Sequence, residues 1–294
     1  MNSFEVIDPR LVDVRLPEHD GYPEELAKGD TQDVLMDVCG DAARSFPQSL
    51  WIEPRDWADK AADNDRHKTW PVNYIDRFTN QSPSHECVYH SASSGLASCW
   101  NRQRGIIYPD GPKKEFRYPE SGKFQSIWFS PLSGYSPANP RQWGGSSVRG
   151  SLERLTKHGL LPDKIQPGEY GFKHTLQGTS GKGNLNQSGG EWVRERDFPE
   201  GWEQTAKMFR VKEAVFADSW EQAVCLVLHG IAYHVGRDGH AVPWMRYLPG
   251  QGMEYPDSYD VFRYDSMRTV QRAWSSGYGI ISMTQPDDYS KPGE

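Results

Sequence analysis

A glutamine precedes a cysteine by six residues in the stretch TNQSPSHECVYH, which then enters a helix-forming run of small residues. A cysteine attacks a carbonyl carbon efficiently only as a thiolate, and the N-terminus of a helix favours that anion. The side-chain amide of Gln81 and the backbone N–H of Cys87 are suited to hold the oxyanion of a tetrahedral intermediate. The pattern predicts Cys87 as a nucleophile and Gln81 as its oxyanion donor.

A thiolate needs a base to carry its proton, and the sequence offers one near the start of a strand. His240 follows a Gly turn in RDGHAVPWMRYL, and Asp265 ends the strand-like run YDVFRYDS. A carboxylate in that place can orient the imidazole, as in hydrolases that use a nucleophile, a base and an orienting acid. We therefore predict that Cys87, His240 and Asp265 are the catalytic residues.

The elements that position these residues are predicted to be helices first and strands last. Apolar spacing and stop signals predict helices over 31–46, 87–104, 147–159 and 219–229. Strand-like runs follow over 231–235, 241–248, 259–264 and 277–283. This order predicts an α+β fold with two lobes.

These motifs together resemble the papain-like cysteine protease family over residues 53–283. The resemblance is carried by Asn80-Gln81 before Cys87, by IEPRDW and GGSSVRGSLERLTKHGLLP, and by GHAV, YDVFRYDS and GYGIISM in that order. The separation of roughly 150 residues between the cysteine and the histidine is close to the family's layout. The resemblance also implies that Gly144 and Gly145 lie beside the substrate backbone.

The domain organisation follows from the same resemblance. It implies an N-terminal extension over 1–50, whose helix at about 31–46 either packs on the outer surface or lies over the cleft. A papain-like domain over 51–294 would have a helical left lobe at about 51–165. Its right lobe, an antiparallel β-sheet or barrel, would span about 166–284, with a tail over 285–294.

Several residues depart from the family pattern. His85 and Glu86 precede the cysteine where the family has small residues, Asp265 replaces an orienting Asn, and Met267 replaces the Trp that shields it two residues on. The first interpretation is an intracellular cysteine peptidase or amide hydrolase acting on a peptide or protein. The alternative is a catalytically impaired protein with a structural or binding role in a larger assembly, such as a phage or virus particle.

Other candidate sites are less convincing. Cys99 in LASCW lies in mid-helix, where its backbone N–H is not free, and Cys39 and Cys225 are predicted core residues. His229 and His234 lack carboxylate or thiolate neighbours at metal-ligand spacing, so we expect packing roles and no metal. The Gly-rich segment 177–190 has no GK[ST] sequence, so we expect no nucleotide and no cofactor there.

The composition narrows the choice of partner and compartment. The net charge is −7, from 33 basic and 40 acidic residues, which disfavours binding to nucleic acid through phosphates. No apolar stretch is long enough for a membrane span, and we expect no membrane partner. Four scattered cysteines and the absence of a visible signal sequence favour a reducing, cytoplasmic compartment, or a virion if the structural alternative holds.

Overall fold

The computed structural model describes residues 37, 39–76, 78, 86–112, 129–131, 133–134, 146–162, 201–237, 239–259 and 261–284. Five residues singled out above lie outside these ranges, namely Asn80, Gln81, His85, Gly144 and Gly145. So do the Gly-rich segment and the tail over 285–294. The described residues mix helices with two β-sheets, which confirms the α+β class.

The helices of the described residues are α1 Trp57–His67, α2 Cys87–Gln103, α3 Val148–Lys157, α4 Trp202–Lys207, α5 Trp220–Leu228 and α6 Met267–Ala273. Three of them, α2, α3 and α5, confirm predicted helices. Ser147 and Ser219 cap α3 and α5, since each side chain accepts a backbone N–H from the first turn.

The strands are β1 Ala43–Ser45, β2 Val211–Phe216, β3 Tyr233–Arg237, β4 His240–Trp244, β5 Arg246–Leu248, β6 Gly252–Asp257, β7 Val261–Ser266 and β8 Gly277–Met283. A five-stranded sheet has the order β1-β2-β8-β3-β4, and a three-stranded sheet has the order β5-β6-β7. All pairs are antiparallel except β1 with β2. Neither sheet closes into a barrel within the described residues, so of the two predicted forms of the right lobe the open sheet is the one present.

Helix α2 is the centre of the core. It is buried from Cys87 to Asn101 and packs against β3, β4 and β8 of the five-stranded sheet. Small residues allow this close approach: a Cβ atom added to Gly95 would lie 3.5 Å from Cδ1 of Ile280. Because α2 runs against β4, the first residue of the helix is brought to the first residue of that strand.

The predicted helix over 31–46 ends earlier than expected: residues 37 and 39 are helical, whereas 31–36 and 38 lie outside the described residues. Gly40 has a φ of +52° and begins a short 3-10 turn, and the chain then becomes strand β1. A left-handed glycine stops an α-helix, which explains why the helical pattern does not continue to Phe46. Strand β1 pairs with β2, so residues before 50 contribute to the main sheet.

The chain passes from one sheet to the other at Met245, between β4 and β5. Its backbone N–H donates to the carbonyl of Glu254 on β6 over 3.0 Å, which holds the two sheets together at this point. The end of β6 is thereby brought close to the start of β4. No helix in the described ranges has the length and apolar character needed to cross a membrane.

Candidate active site

The sulfur of Cys87 is held at the first residue of α2, in the core of the protein. The residue is fully buried, and all four cysteines of the chain are free thiols. Backbone N–H groups in the first turn of a helix have no acceptor within the helix, and they carry its positive partial charge. This position places the sulfur beside the positive end of the helix, and the backbone N–H of Cys87 has no acceptor within α2.

The carboxylate that precedes the cysteine has a partner one turn further along. Oε2 of Glu86 lies 3.5 Å from Nε2 of His90, and both side chains are buried. Glu86 is one of the residues that depart from the family pattern, and it brings a carboxylate next to the thiol of Cys87. The Glu86 carboxylate therefore has the imidazole of His90 as a partner in the first turn of α2.

His240 begins β4 directly after Gly239, whose φ of +78° makes the tight turn from β3. Burial has the largest influence on the pKa of His240 and would lower it. The negative charge of Cys87, a hydrogen bond with Asp257, a hydrogen bond with Cys87 and the charge of Asp257 together raise that pKa to about 10. The imidazole is thus held as an imidazolium between a sulfur and a carboxylate.

The carboxylate on the imidazole is that of Asp257, the last residue of β6. Nε2 of His240 lies 3.0 Å from Oδ1 of Asp257, and both side chains are essentially inaccessible to solvent. The other ring nitrogen, Nδ1, has no standard hydrogen bond within the described part of the chain. Because Nε2 is hydrogen-bonded to Asp257, Nδ1 is the ring nitrogen that can exchange a proton with Cys87.

Asp265 was predicted to orient His240, and the structure gives this residue other contacts. Its Oδ2 accepts the indole N–H of Trp244 over 2.7 Å, and its Oδ1 lies 2.9 Å from Nε of Arg237. The register explains the difference, because β6 pairs with β7 so that Asp265 stands opposite Met253, while Asp257 stands at the far end of the pair. Asp257, and not Asp265, is the aspartate in contact with His240.

Tyr259 covers the imidazole from the side of the second sheet. Its ring is stacked on that of His240, with a centroid separation of 6.0 Å and an interplanar angle of 25°. An aromatic ring two residues after the orienting side chain is the arrangement that Met267 was thought to lack. PDSY, at residues 256–259, contains this spacing, and it is the sequence signal that identifies Asp257.

The second oxygen of Asp257 is paired as well. Oδ2 lies 2.9 Å from Nε of Arg263 on β7. Burial is the largest influence on the pKa of Asp257 and would raise it. The hydrogen bond and charge of His240, together with the charges of Arg263 and Arg237, lower the pKa below its ordinary value. Asp257 is therefore an ionised carboxylate with one oxygen for the base and one for an arginine.

The other cysteines have the features of core residues. Burial raises the pKa of the Cys39 thiol to about 11 against the charge of Arg44, and that of Cys99 to about 11 against Arg102. Burial is also the main cause of the raised pKa of the Cys225 thiol. Cys99 lies within α2 and donates to Oε1 of Gln103 over 3.5 Å. None of these contacts brings Cys39, Cys99 or Cys225 next to a histidine.

His234 is held in a buried polar cluster behind α2. Nδ1 is 2.5 Å from the hydroxyl of Ser91, Nε2 is 3.3 Å from that of Ser151, and Ser151 also contacts the hydroxyl of Tyr278. Burial lowers the pKa of His234 to about 3, so this histidine is neutral. In the described residues no group of three or more His, Cys, Asp or Glu side chains could hold a metal ion.

The chain is similar to xylellain, a cysteine protease from Xylella fastidiosa, with 10% sequence identity and a TM-score of 0.49. The matched region covers 82% of this chain and 91% of xylellain. No protein-family model and no curated protein sequence matches the chain.

Proposed function

We propose that the protein is a papain-like cysteine peptidase or related amide hydrolase, with Cys87, His240 and Asp257 as its triad. The observation that carries this proposal is the buried pair of His240 and Asp257, set against a cysteine at the N-terminus of α2. A nucleophile, a base and an orienting carboxylate in contact are the minimum apparatus for acyl transfer by a thiol.

The mechanism follows from the proton on His240. The Cys87 thiolate attacks the carbonyl carbon of the amide, and the carbonyl oxygen becomes an oxyanion. His240 then gives its proton to the leaving nitrogen, the C–N bond breaks, and a thioester remains on Cys87. Neutral His240 next takes a proton from water, whose hydroxide adds to the thioester. Release of the carboxylic acid restores the thiolate and the imidazolium.

The remaining assignments complete the proposed site. The backbone N–H of Cys87 and the side-chain amide of Gln81 would stabilise the oxyanion, and Gly144 and Gly145 would border the substrate backbone. The substrate would be a peptide bond or a related amide, such as one in peptidoglycan. An intracellular, reducing setting is part of the proposal because a thiol nucleophile and three further cysteines all remain unpaired.

The catalytically impaired alternative loses two of its reasons. It rested partly on Asp265 and Met267 as poor substitutes in the orienting position. The contacts of His240 with Asp257 and Tyr259 support these two residues for that position instead. The burial of Cys87 and His240 still requires that the site open before a substrate reaches the sulfur. A working enzyme of this design would therefore react slowly until its cleft is opened.

Labelling of the cysteines by iodoacetamide, resolved by peptide mass spectrometry across about pH 5–9, tests the proposal. All four thiols are buried, so the other three are internal controls for access. Cys87 should react fastest at and below neutral pH, and His240→Ala should abolish this advantage. Cleavage of casein and of peptidoglycan fragments, lost in Cys87→Ala, would identify the substrate class. Equal and slow labelling of all four thiols would overturn the proposal.

A further inference from the structure

A row of alternating charges extends from the nucleophile to the surface of the second sheet. In the mechanism proposed above Cys87 is a thiolate, and it faces the imidazolium of His240. The imidazolium faces the carboxylate of Asp257, which faces the guanidinium of Arg263. The Asp257 side chain is wholly buried, whereas that of Arg263 is 19% exposed. Without its last member, this row would place a net negative charge in the core, which is energetically unfavourable.

Arg263 also restrains the geometry of its neighbours. Its Nε holds Oδ2 of Asp257, so the carboxylate cannot rotate away from His240 without breaking an ion pair. The guanidinium carbon lies 5.9 Å from the ring centre of Tyr259, the side chain that stacks on His240. Arg263 thus contacts two of the groups that surround the imidazole, although it does not touch the imidazole itself.

The other charged groups near Asp257 do not duplicate this role. Arg237, on β3, contributes positive charge to Asp257, but its own ion pair is with Asp265 on β7. His240 faces Asp257 from β4. Among the described residues, Asp257 is the one carboxylate that pairs with Arg263.

From these contacts we infer that Arg263 is a positioning residue of the site, which neutralises Asp257 and holds its carboxylate on His240. The inference rests on the function proposed above and assigns a fourth member to its catalytic row. Arg263 acts through Asp257 and Tyr259, because no reacting atom is within its contacts. Its role exists only while residue 257 is a carboxylate, and this condition makes the inference testable.

A double-mutant cycle measured by Cys87 labelling provides the test. Arg263→Gln should lower the labelling rate about tenfold, because the unbalanced carboxylate moves or takes up a proton and no longer holds the base. The loss should begin at a pH about one unit higher than any acid-side loss in the wild type. Adding Asp257→Asn, which keeps an oxygen acceptor without the charge, should restore most of the rate. Arg263→Lys should retain part of it.

Arg246→Gln is the matched control. Arg246 lies on the same three-stranded sheet and pairs with Asp65 and Glu254, at 2.7 and 3.6 Å, away from His240. Its removal should leave the pH profile of Cys87 unchanged. Thermal melts of each variant separate lost folding from lost positioning, since the double variant must recover reactivity and not only stability.

The outcomes distinguish this inference from the proposed function. Wild-type Cys87 that shows no His240-dependent labelling would overturn both. His240-dependent labelling that is unaffected by Arg263→Gln would overturn the inference alone. The same result follows if Arg263→Gln lowers the rate equally in the wild-type and Asp257→Asn backgrounds, because its effect would then be independent of the carboxylate.

Discussion

The indole N–H of Trp244 donates to Asp265 over 2.7 Å, at the end of β4 opposite to His240. This bond shows that two aspartates of the second sheet have separate tasks. Asp265 ties the end of β4 and Arg237 to β7, whereas Asp257 contacts His240. The two residues are therefore a matched pair for substitution.

We predict that Asp257→Ala lowers Cys87 labelling at neutral pH at least about tenfold, because His240 loses its orienting partner. Asp265→Ala should leave the labelling rate within about twofold of the wild type. It should instead lower the free energy of unfolding by about 3 kcal/mol, since it leaves Arg237 without its carboxylate. Urea unfolding and labelling of both variants check this; a reversed pattern would return the orienting role to Asp265.

The raised pKa of His240 predicts how stability changes in alkali. An ordinary histidine has a pKa near 6.5, and that of His240 is about 10, so the folded protein holds a proton that the unfolded chain releases between these values. The contribution of the His240 proton to stability is complete below about pH 6.5 and is lost as the pH rises towards 10. Asp257→Asn, which removes the negative charge, should move the end of this range to lower pH.

Urea unfolding of the wild type and Asp257→Asn at several alkaline pH values measures this effect, and NMR titration of His240 measures its protonation directly. Asp265→Asn serves as the control, because its carboxylate has no contact with the imidazole among the described residues. A His240 that titrates at the same pH in all three proteins would contradict the prediction.

The buried neutral His234 predicts a loss of stability in acid. Its pKa is about 3 in the folded protein, because of burial, whereas the unfolded chain takes up a proton below about pH 6.5. Folding must then exclude this proton, so the protein loses stability progressively from pH 6.5 down to about 3. The loss amounts to several kcal/mol at the acid end.

His234→Gln should flatten this acid dependence, because glutamine takes up no proton. It should also cost some stability at neutral pH through its altered contacts with Ser91 and Ser151. His67→Gln is the control, since His67 is an exposed residue on α1. The check is unfolding by urea at pH 7 and at about pH 4.5; equal acid dependence in wild type and His234→Gln would refute it.

Two glycines should respond in opposite ways to alanine. Gly95 lies inside α2 with room for a methyl group, so Gly95→Ala should stabilise by up to about 1 kcal/mol. Gly159 has a φ of +71°, and a Cβ there would lie 2.0 Å from the carbonyl oxygen of Ala206. Gly159→Ala should destabilise by about 2 kcal/mol or more. Thermal unfolding of the two variants decides between this ordering and a common effect.

Local patterns in the sequence were sufficient to predict the helices that build the site. The small residues of α2 and the glycine after it predicted the helix from Cys87, and Gly239 predicted the turn before His240. These signals are local, since each lies within a few residues of the element that it defines. The packing of α2 against β4 then brings Cys87 close to His240.

Strand β6 is one of the elements that sequence reasoning missed, and with it the carboxylate of Asp257 that contacts His240. Its sequence GMEYPD contains a glycine and a proline and has no clear alternation of apolar residues. Pro256 is tolerated because it lies beyond the pairing of β5, which reaches only Glu254 on this strand. The strand exists through its partners β5 and β7, and such non-local pairing leaves little trace in the local sequence.

Strand β1 has a consequence for any shortened form of this protein. It occupies the outer edge of the five-stranded sheet, beside the run VKEAVF of β2. A chain that starts at residue 51 would leave the backbone hydrogen-bonding groups of β2 unsatisfied and open to another molecule. Such a chain should self-associate as its concentration rises. Labelling of Cys87 in the shortened chain would then reflect aggregation before it reflects access to the thiol.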